Sequence, residues 1–189
     1  MKDANLKFVE EMANPHSWLL TADNLHEQAV ALHGQRGRSL ITFNRPNVKS
    51  ITWDSVNKSV FLLGGFALEN AIKAFLVYEN PILISQGALG RKLRSHSLTS
   101  LQKKSTLIPY KNRYLGVLRQ FEEGLDSWAR YPCGLTADTS KYESKLQDEL
   151  WAGYLRLMEA YRKRLRGLLS AKLWHGPHGF SGRWTFQDF

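Results

Sequence analysis

An almost unbroken apolar segment from Thr52 to Pro81 constrains the fold of this chain more than any other feature. Its apolar residues recur at three- and four-residue steps, the period of an α-helix, and they occupy nearly every face of that helix. A helix that is apolar all round belongs in the centre of a bundle. Polar and glycine residues interrupt the run at positions 64, 65, 69, 70 and 73. The segment therefore predicts a buried core helix and not a membrane span.

Two features inside this helix carry further predictions. The adjacent glycines cost about 1 kcal/mol each relative to alanine, so they indicate close approach of another helix. Glu69 and Lys73 lie four residues apart, so they share a face and can form an ion pair. A buried carboxylate without a partner would be costly. The favoured interpretation is a structural ion pair, and the alternative is that Glu69 orients His96 or Arg130 in a shared polar cluster.

Other periodic segments predict the remaining helices of a single bundle. A chain of 189 residues can form one domain with a real core, and the sequence contains no repeat or linker. We therefore predict an all-α fold of about five main helices over residues 1–172. Proposed helix caps are Ser17, Asn112 and an S-x-x-E box from Ser140 to Glu143. The expected helices span residues 5–13, 17–33, 95–104, 112–128 and 140–172 beside the central one, and 34–50 is expected to be a loop with a short extended piece at 40–43.

The final segment, from Leu173 to Phe189, carries five aromatic residues among glycines. So much aromatic surface seldom stays in contact with water. We expect this tail to fold back on the bundle or to meet a partner. The pair His175 and His178 lacks a nearby cysteine or acid, and so indicates a metal site only weakly.

Charge and cysteine content narrow the functional classes. The chain has 26 Lys and Arg residues against 17 Asp and Glu, a formal charge of +9. This excess favours a polyanionic partner such as nucleic acid, although a solvated basic surface is the alternative. The only cysteine, Cys133, excludes an intrachain disulfide and a cysteine-based zinc site. The first residues lack the apolar core of a signal peptide, so we expect a cytoplasmic protein.

The basic residues concentrate in one stretch, from Arg91 to Arg113, which has seven Lys and Arg residues and no acid. Within it, Arg91 precedes His96 with four residues between them. Histidine titrates near neutral pH and arginine offers a bidentate fork to phosphate, so the pair suits chemistry on a phosphodiester. The expected nucleic-acid-binding residues of this stretch are Lys92, Arg94, Lys103, Lys104, Lys111 and Arg113.

Three segments in this order resemble the HEPN superfamily of small helical proteins. They are G-x-A-L-E-x-x-x-K-A from Gly65 to Ala74, His96-Ser97-Leu98 after a basic segment, and Arg130-Tyr131-Pro132 in a loop. The resemblance covers roughly residues 17–170. It implies a helical bundle that forms a homodimer, and in some members a metal-independent ribonuclease of a toxin or phage-defence type, with an antitoxin as a further partner.

Carried onto this chain, the nuclease members' arginine–histidine motif matches Arg91 and His96. The resemblance implies that His96 moves a proton and that Arg91 holds the phosphate charge, with Glu69 and Arg130 in support. No metal or other cofactor is implied. The motif lies before a mid-chain helix here, whereas nuclease members carry it toward the last helix. Three hypotheses therefore stay open: an endoribonuclease, an inactive module that binds nucleic acid, a nucleotide or a protein, and a purely structural bundle, which leaves the positive charge without a use.

Overall fold

The computed structural model of the chain describes residues 2–38, 40–140 and 147–187. Within these residues, five main helices form an all-α bundle, as the sequence predicted. Only short strands accompany them, in two antiparallel pairs. The five main helices are α2 (Pro15–His33), α3 (Asn57–Glu79), α4 (Leu98–Lys104), α5 (Leu115–Asp126) and α7 (Asp148–Ala171), and two shorter ones are α1 (Lys2–Lys7) and α6 (Ala137–Ser140). The strands are β1 (Leu40–Arg45), β2 (Val48–Asp54), β3 (Trp174–His175) and β4 (Ser181–Gly182).

Helix α3 is the centre of the bundle, and α2, α4, α5 and α7 all pack against it. Its length and composition would allow it to cross a membrane, but 78% of its most apolar window is buried inside the protein. Burial of this extent is what the core helix of a water-soluble bundle requires. The helix begins at Asn57, whereas the sequence predicted a start at Thr52, because Thr52 to Asp54 belong to strand β2.

Residues 40–54 form a β-hairpin in which β1 pairs with β2, so the prediction of a loop was wrong over most of this segment. β-Branched and aromatic residues favour strands, and they alternate here with polar ones. Asn47 in the turn adopts φ 57°, a left-handed conformation that asparagine tolerates better than most residues. The predicted extended piece at 40–43 is therefore one strand of a complete hairpin.

The predicted helix caps were wrong in two places. Asn14, and not Ser17, caps α2, because the Asn14 Oδ1 accepts a hydrogen bond from the Ser17 backbone N–H at 3.0 Å and Pro15 occupies the first turn. Helix α5 has no side-chain cap, and Asn112 contributes only its carbonyl, which accepts from Leu115 N–H at 3.4 Å. The proposed box from Ser140 to Glu143 extends outside the described residues.

The glycine pair of α3 lies against α5, as predicted from its position in mid-helix. A Cβ atom on Gly64 would come within 2.7 Å of the Phe121 ring, and one on Gly65 within 2.7 Å of Leu125 Cγ. Neither distance leaves room for a methyl group, so the two helices approach through glycine.

We expect Gly65→Ala to lower the free energy of unfolding by about 1–3 kcal/mol, because overpacking a close-packed core outweighs alanine's better helix propensity. Urea unfolding measures the change. Gly167→Ala in α7 is the matched control: nothing lies within 4 Å of a Cβ there, so it should stabilise the protein by up to about 1 kcal/mol. Equal responses of the two variants would contradict this packing.

Three histidines of α2 lie in the interface with α7 and the tail. His26 is buried and its Nδ1 is 2.9 Å from the Tyr154 hydroxyl. The rings of His33 and Trp151 stack with centroids 4.2 Å apart, and His16 stacks on Trp184 at 5.7 Å. Burial lowers the pKa of each of these imidazoles below its usual range.

A fall in pH should therefore destabilise the protein, because it protonates the histidines of α2. A histidine whose pKa is lowered on folding contributes stability that is present above the unfolded-state pKa of about 6.5 and lost as the pH falls through the folded-state pKa. We expect the urea midpoint to fall between about pH 7.5 and pH 5.5, and His26→Gln to shrink that fall because glutamine does not titrate. An unchanged pH dependence in the variant would contradict the assignment to His26.

The aromatic tail packs on the bundle. Trp174 is buried and its Nε1 donates to the Tyr78 carbonyl of α3 at 3.1 Å. Phe180, Trp184 and Phe186 pack against the core as partly buried residues. Phe189 lies outside the described residues.

Candidate functional site

The site is centred on Glu69 of α3 and His96, which precedes α4. The Glu69 Oε2 lies 2.9 Å from the His96 Nδ1, a contact between residues 27 positions apart in the chain. The structure thus brings together two of the residues that the sequence proposed for catalysis. Glu69 is almost fully buried, whereas 49% of the His96 side chain is exposed. The carboxylate is therefore fixed in the core and the imidazole reaches the surface.

A cation balances the buried carboxylate. Lys73 Nζ is ion-paired with Glu69 Oε1 from the next turn of α3, as the spacing predicted. Only 5% of the Lys73 side chain is exposed, and its ammonium lies 5.7 Å from the centre of the Trp18 ring. Burial of Glu69 is tolerated because one oxygen meets Lys73 and the other meets His96.

The geometry assigns different roles to the two imidazole nitrogens. A carboxylate accepts a hydrogen bond, so the Nδ1 of His96 carries the proton that points to Glu69. The Nε2 is then the nitrogen that can accept a proton from a substrate, or donate one when the ring is protonated. A buried acceptor that fixes the ring in this way is the usual arrangement for histidine in acid–base chemistry.

The start of α4 holds His96 in place. The Ser97 side chain caps α4 by accepting from Ser100 N–H, and its hydroxyl donates to Glu122 Oε1 at 2.9 Å. The other oxygen of Glu122 accepts from Thr99 N–H at 2.7 Å. Helix α5 therefore anchors the backbone on which His96 is carried.

Acidic groups surround the imidazole. Partial burial and the charge of Glu122 raise the pKa of Asp126, while the positive charges of Arg130 and His96 act against the shift. Asp126 therefore interacts electrostatically with Glu69 and His96, and also with Arg130. Arg130 lies just beyond the end of α5, where its N–H donates to the Ser127 carbonyl at 3.1 Å.

Arg91 is positioned apart from this pair. It begins a short 3₁₀ helix, Arg91–Arg94, and both arginines are exposed. Among the described residues no hydrogen bond or ion pair joins Arg91 to His96, and Arg94 Nε donates to the Leu89 carbonyl at 3.0 Å. Both arginines line a cleft with Leu83 and Gly90. The other proposed nucleic-acid-binding residues are exposed at Lys92, Lys103, Lys104 and Arg113 and half-buried at Lys111.

Some basic residues of α7 are engaged inside the protein and do not form a free basic face. Arg162 Nε lies 2.9 Å from Asp23 Oδ1, and Arg166 lies 3.3 Å from Asp23 Oδ2.

Residues 2–38, 40–140 and 147–187 contain no cluster of three potential metal ligands. His175 contacts Ser181, and Cys133 is exposed.

The sequence did not predict a groove that lies next to His96. It has a volume of about 620 Å³ and lies between the start of α4, the end of α5 and the loop that follows. Its lining includes the acids Glu122, Glu123 and Asp126 and the apolar Trp128 and Leu135. The spacing of the three acids on one helical segment was the available signal, because residues four apart share a face.

No protein-family model matches the chain, and no curated protein or solved structure is significantly similar to it.

Proposed function

We propose that this protein cleaves RNA without a metal ion, with His96 as the acid–base group. The observation that carries the proposal is the contact between the buried Glu69 carboxylate and the half-exposed His96 imidazole. It supplies what proton transfer at a surface site requires: a fixed ring, a defined tautomer and a free nitrogen. The role of Glu69 is that of a positioning residue.

The proposed reaction uses the ribose as the nucleophile. The Nε2 of His96 takes the proton of the 2′-hydroxyl, and the 2′-oxygen attacks the adjacent phosphorus atom. The bond from phosphorus to the 5′-oxygen breaks, which leaves a 2′,3′-cyclic phosphate and a 5′-hydroxyl. The departing 5′-oxygen takes its proton from solvent or from the His96 of a second copy. No step needs an oxidant, a reductant or a metal.

Cations are needed to stabilise the phosphate charge that develops during this reaction. Arg130 interacts electrostatically with Asp126, as His96 does, and Arg91 and Arg94 are exposed on the segment that leads into His96. We propose that the stretch from 91 to 113 guides RNA to the site by its positive charge. In this proposal the protein acts in the cytoplasm as a homodimer, as a toxin or a phage-defence nuclease, with an antitoxin as a possible further partner.

A second candidate is a binding module without catalytic activity. The observation that favours it is the number of acids around His96, because Glu122 and Asp126 would repel a phosphate. Such a module would use the same basic stretch to bind RNA, or the exposed apolar side chains of the β-hairpin, such as Ile41 and Phe43, to bind a protein.

Incubation of the purified protein with a panel of single-stranded and hairpin RNAs in EDTA tests the proposal. Metal-independent cleavage of RNA, with DNA of the same sequences left intact, is the expected result. Salt-dependent RNA binding without cleavage would favour the binding module. A protein that neither binds nor cleaves any of these RNAs would contradict the nuclease and the RNA-binding module, and would leave only a module that binds a protein.

A further inference from the structure

The cleft that Arg91 and Arg94 line, on the segment leading into His96, carries only positive charge. Its volume is about 640 Å³, which is the size of a small-ligand site. Both arginines are exposed, and none of the described residues that line the cleft is acidic. The groove next to His96, by contrast, contains three acids and one arginine. This arginine cleft is therefore the cavity that suits an anionic ligand.

Two hydrogen bonds fix the shape of the arginine cleft. The N–H of Gly90 donates to the Leu83 carbonyl at 2.7 Å, and Arg94 Nε donates to the Leu89 carbonyl at 3.0 Å. A Cβ atom on Gly90 would lie 2.8 Å from the Leu83 carbonyl oxygen, so glycine is needed for this close approach. Since the bond from Arg94 uses Nε, its terminal nitrogens remain able to donate to phosphate oxygens.

The rest of the lining suits a flat ring with a polar edge. Leu83 and Leu89 are partly buried and pack against the core, and Ile82 is 77% exposed. An unstacked nucleobase binds to such a surface through its face, and arginine planes also stack on bases. Gln86 is exposed at the cleft, and its amide can both donate to and accept from the edge of a base. The cleft thus matches the phosphate, the ring and the polar edge of one nucleotide.

The arginine cleft is adjacent to His96 along the chain. Only Ser95 separates Arg94 from His96, and its backbone is extended, with φ −75° and ψ 146°. The Cα atoms of Arg94 and His96 are therefore at most about 7 Å apart. This distance is comparable to one nucleotide step of an extended strand. A strand whose phosphate lies on the arginines can therefore present its next phosphate to His96.

We infer that the arginine cleft holds one nucleotide of an RNA strand next to the bond that His96 cleaves. Arg91 and Arg94 bind the neighbouring phosphate and not the scissile one, which agrees with the lack of contact between Arg91 and His96. The base lies against Leu83 and Leu89, and Gln86 reads its edge. The cleft thereby selects the position of the cut. This inference rests on the proposed cleavage of RNA and adds a specificity site to it.

A substitution that fills the cleft without changing its charge tests the inference. Ala88 is exposed and lines the cleft, so Ala88→Phe should occupy the position of the base in a folded protein. Binding of a 2′-O-methyl RNA, which lacks the nucleophile and stays intact, should weaken by about tenfold or more in fluorescence anisotropy. Ala31→Phe is the matched control: Ala31 is exposed on α2 outside the cleft, and this variant should bind like the wild type.

Removal of charge separates the cleft from general attraction to the basic stretch. The double variants Arg91→Ala/Arg94→Ala and Lys103→Ala/Lys104→Ala each remove two positive charges from exposed positions. At the same salt concentration, the arginine variant should bind RNA about tenfold more weakly than the lysine variant. Equal losses would indicate attraction by charge alone and would overturn the inference.

The cleavage pattern tests the contact with the base. Among RNAs that differ at one position beside the cleaved bond, the wild type should prefer one base by about fivefold or more, the contribution of one hydrogen bond. Gln86→Ala should lose most of that preference and keep its cleavage activity. An unchanged preference would overturn the assignment of the base to this cleft.

Alkylation shows where the RNA lies without any need for cleavage. In a Cys133→Ser background the chain has no other cysteine. Ala88→Cys then places a single thiol in the cleft, and Leu173→Cys places one at a position that is 48% exposed outside it. The 2′-O-methyl RNA at ten times its Kd should slow the reaction of the Ala88→Cys protein with N-ethylmaleimide by about tenfold. The reaction of the Leu173→Cys protein should keep its rate.

Equal protection of both thiols, or protection of neither, would overturn the inference, and so would wild-type binding by Ala88→Phe. Protection by free nucleoside monophosphates but not by RNA would also overturn it and would assign the cleft to a free nucleotide. The outcomes separate this inference from the nuclease proposal. A protein that cuts RNA but leaves the Ala88→Cys thiol unprotected supports the nuclease alone. Protection without cleavage of natural RNA supports RNA binding in the cleft alone.

Discussion

His96→Ala should reduce the rate of RNA cleavage by about 10²- to 10⁴-fold, the usual contribution of a positioned acid–base group. The loss follows from removal of the imidazole that meets Glu69 and reaches the surface. The rate is measured in EDTA under single-turnover conditions, with protein in excess over RNA. These conditions report the rate of the chemical step without product release. Because the His96 side chain is half exposed, its removal should leave the helical circular dichroism spectrum unchanged.

His175→Ala is the matched control for this experiment. His175 is also an exposed histidine, and its Nδ1 lies 2.9 Å from the Ser181 hydroxyl in the tail. The control should cleave RNA at the wild-type rate. A His96→Ala protein that retains the wild-type rate would show that His96 is not the acid–base group, and equal losses in both variants would indicate a general effect on RNA binding.

Lys73→Met should lower the free energy of unfolding by about 3–5 kcal/mol, the usual cost of removing one partner of a buried ion pair. Methionine fills much of the same volume, so the loss comes from the unpaired charge of Glu69 and less from a cavity. Urea unfolding measures it. The double variant Glu69→Gln/Lys73→Met should recover part of the loss, because a neutral amide is cheaper to bury than an unpaired carboxylate.

An exposed pair with the same four-residue spacing provides the control. Lys7 and Glu11 are also four residues apart, with nitrogen and oxygen 3.9 Å apart and more than half of each side chain exposed. Lys7→Met should change stability by less than about 1 kcal/mol, as exposed ion pairs usually do. If Lys73→Met also changed the free energy of unfolding by less than about 1 kcal/mol, the charge of Glu69 would not depend on Lys73 for its balance.

Helical periodicity was sufficient to predict the core of the fold. It placed Glu69 and Lys73 on one face of the central helix because the helix fixes that relation locally. The proximity of Glu69 to His96 could not be obtained in this way, since it depends on how α4 packs against α3. The resemblance to the HEPN superfamily suggested that Glu69 and His96 share a polar cluster. The helical period of the apolar residues did not suggest it. The same resemblance grouped Arg91 with His96, a contact that the described residues do not make.

Local sequence patterns were not sufficient to predict the β-hairpin. Its second strand precedes α3 directly, so Thr52 and Trp53 seemed to extend the helical period of the central segment. Short apolar runs do not distinguish a strand from the end of a helix. The side chains of Ile41, Phe43, Ile51 and Trp53 share a face only after the strands have paired. The groove beside His96 likewise depends on how α4 and α5 pack, and the sequence showed only that Glu122 and Asp126 share a helical face.

A single deoxyribose at the mapped cleavage position tests the central claim most directly. The claim is that His96 activates a 2′-hydroxyl and that no metal takes part. Wild-type protein in EDTA should cut the all-RNA substrate to a 2′,3′-cyclic phosphate and leave the substituted substrate intact at that position. Cleavage of both substrates at the same position would require an external nucleophile and would contradict the account, as would the absence of any cleavage by the folded protein.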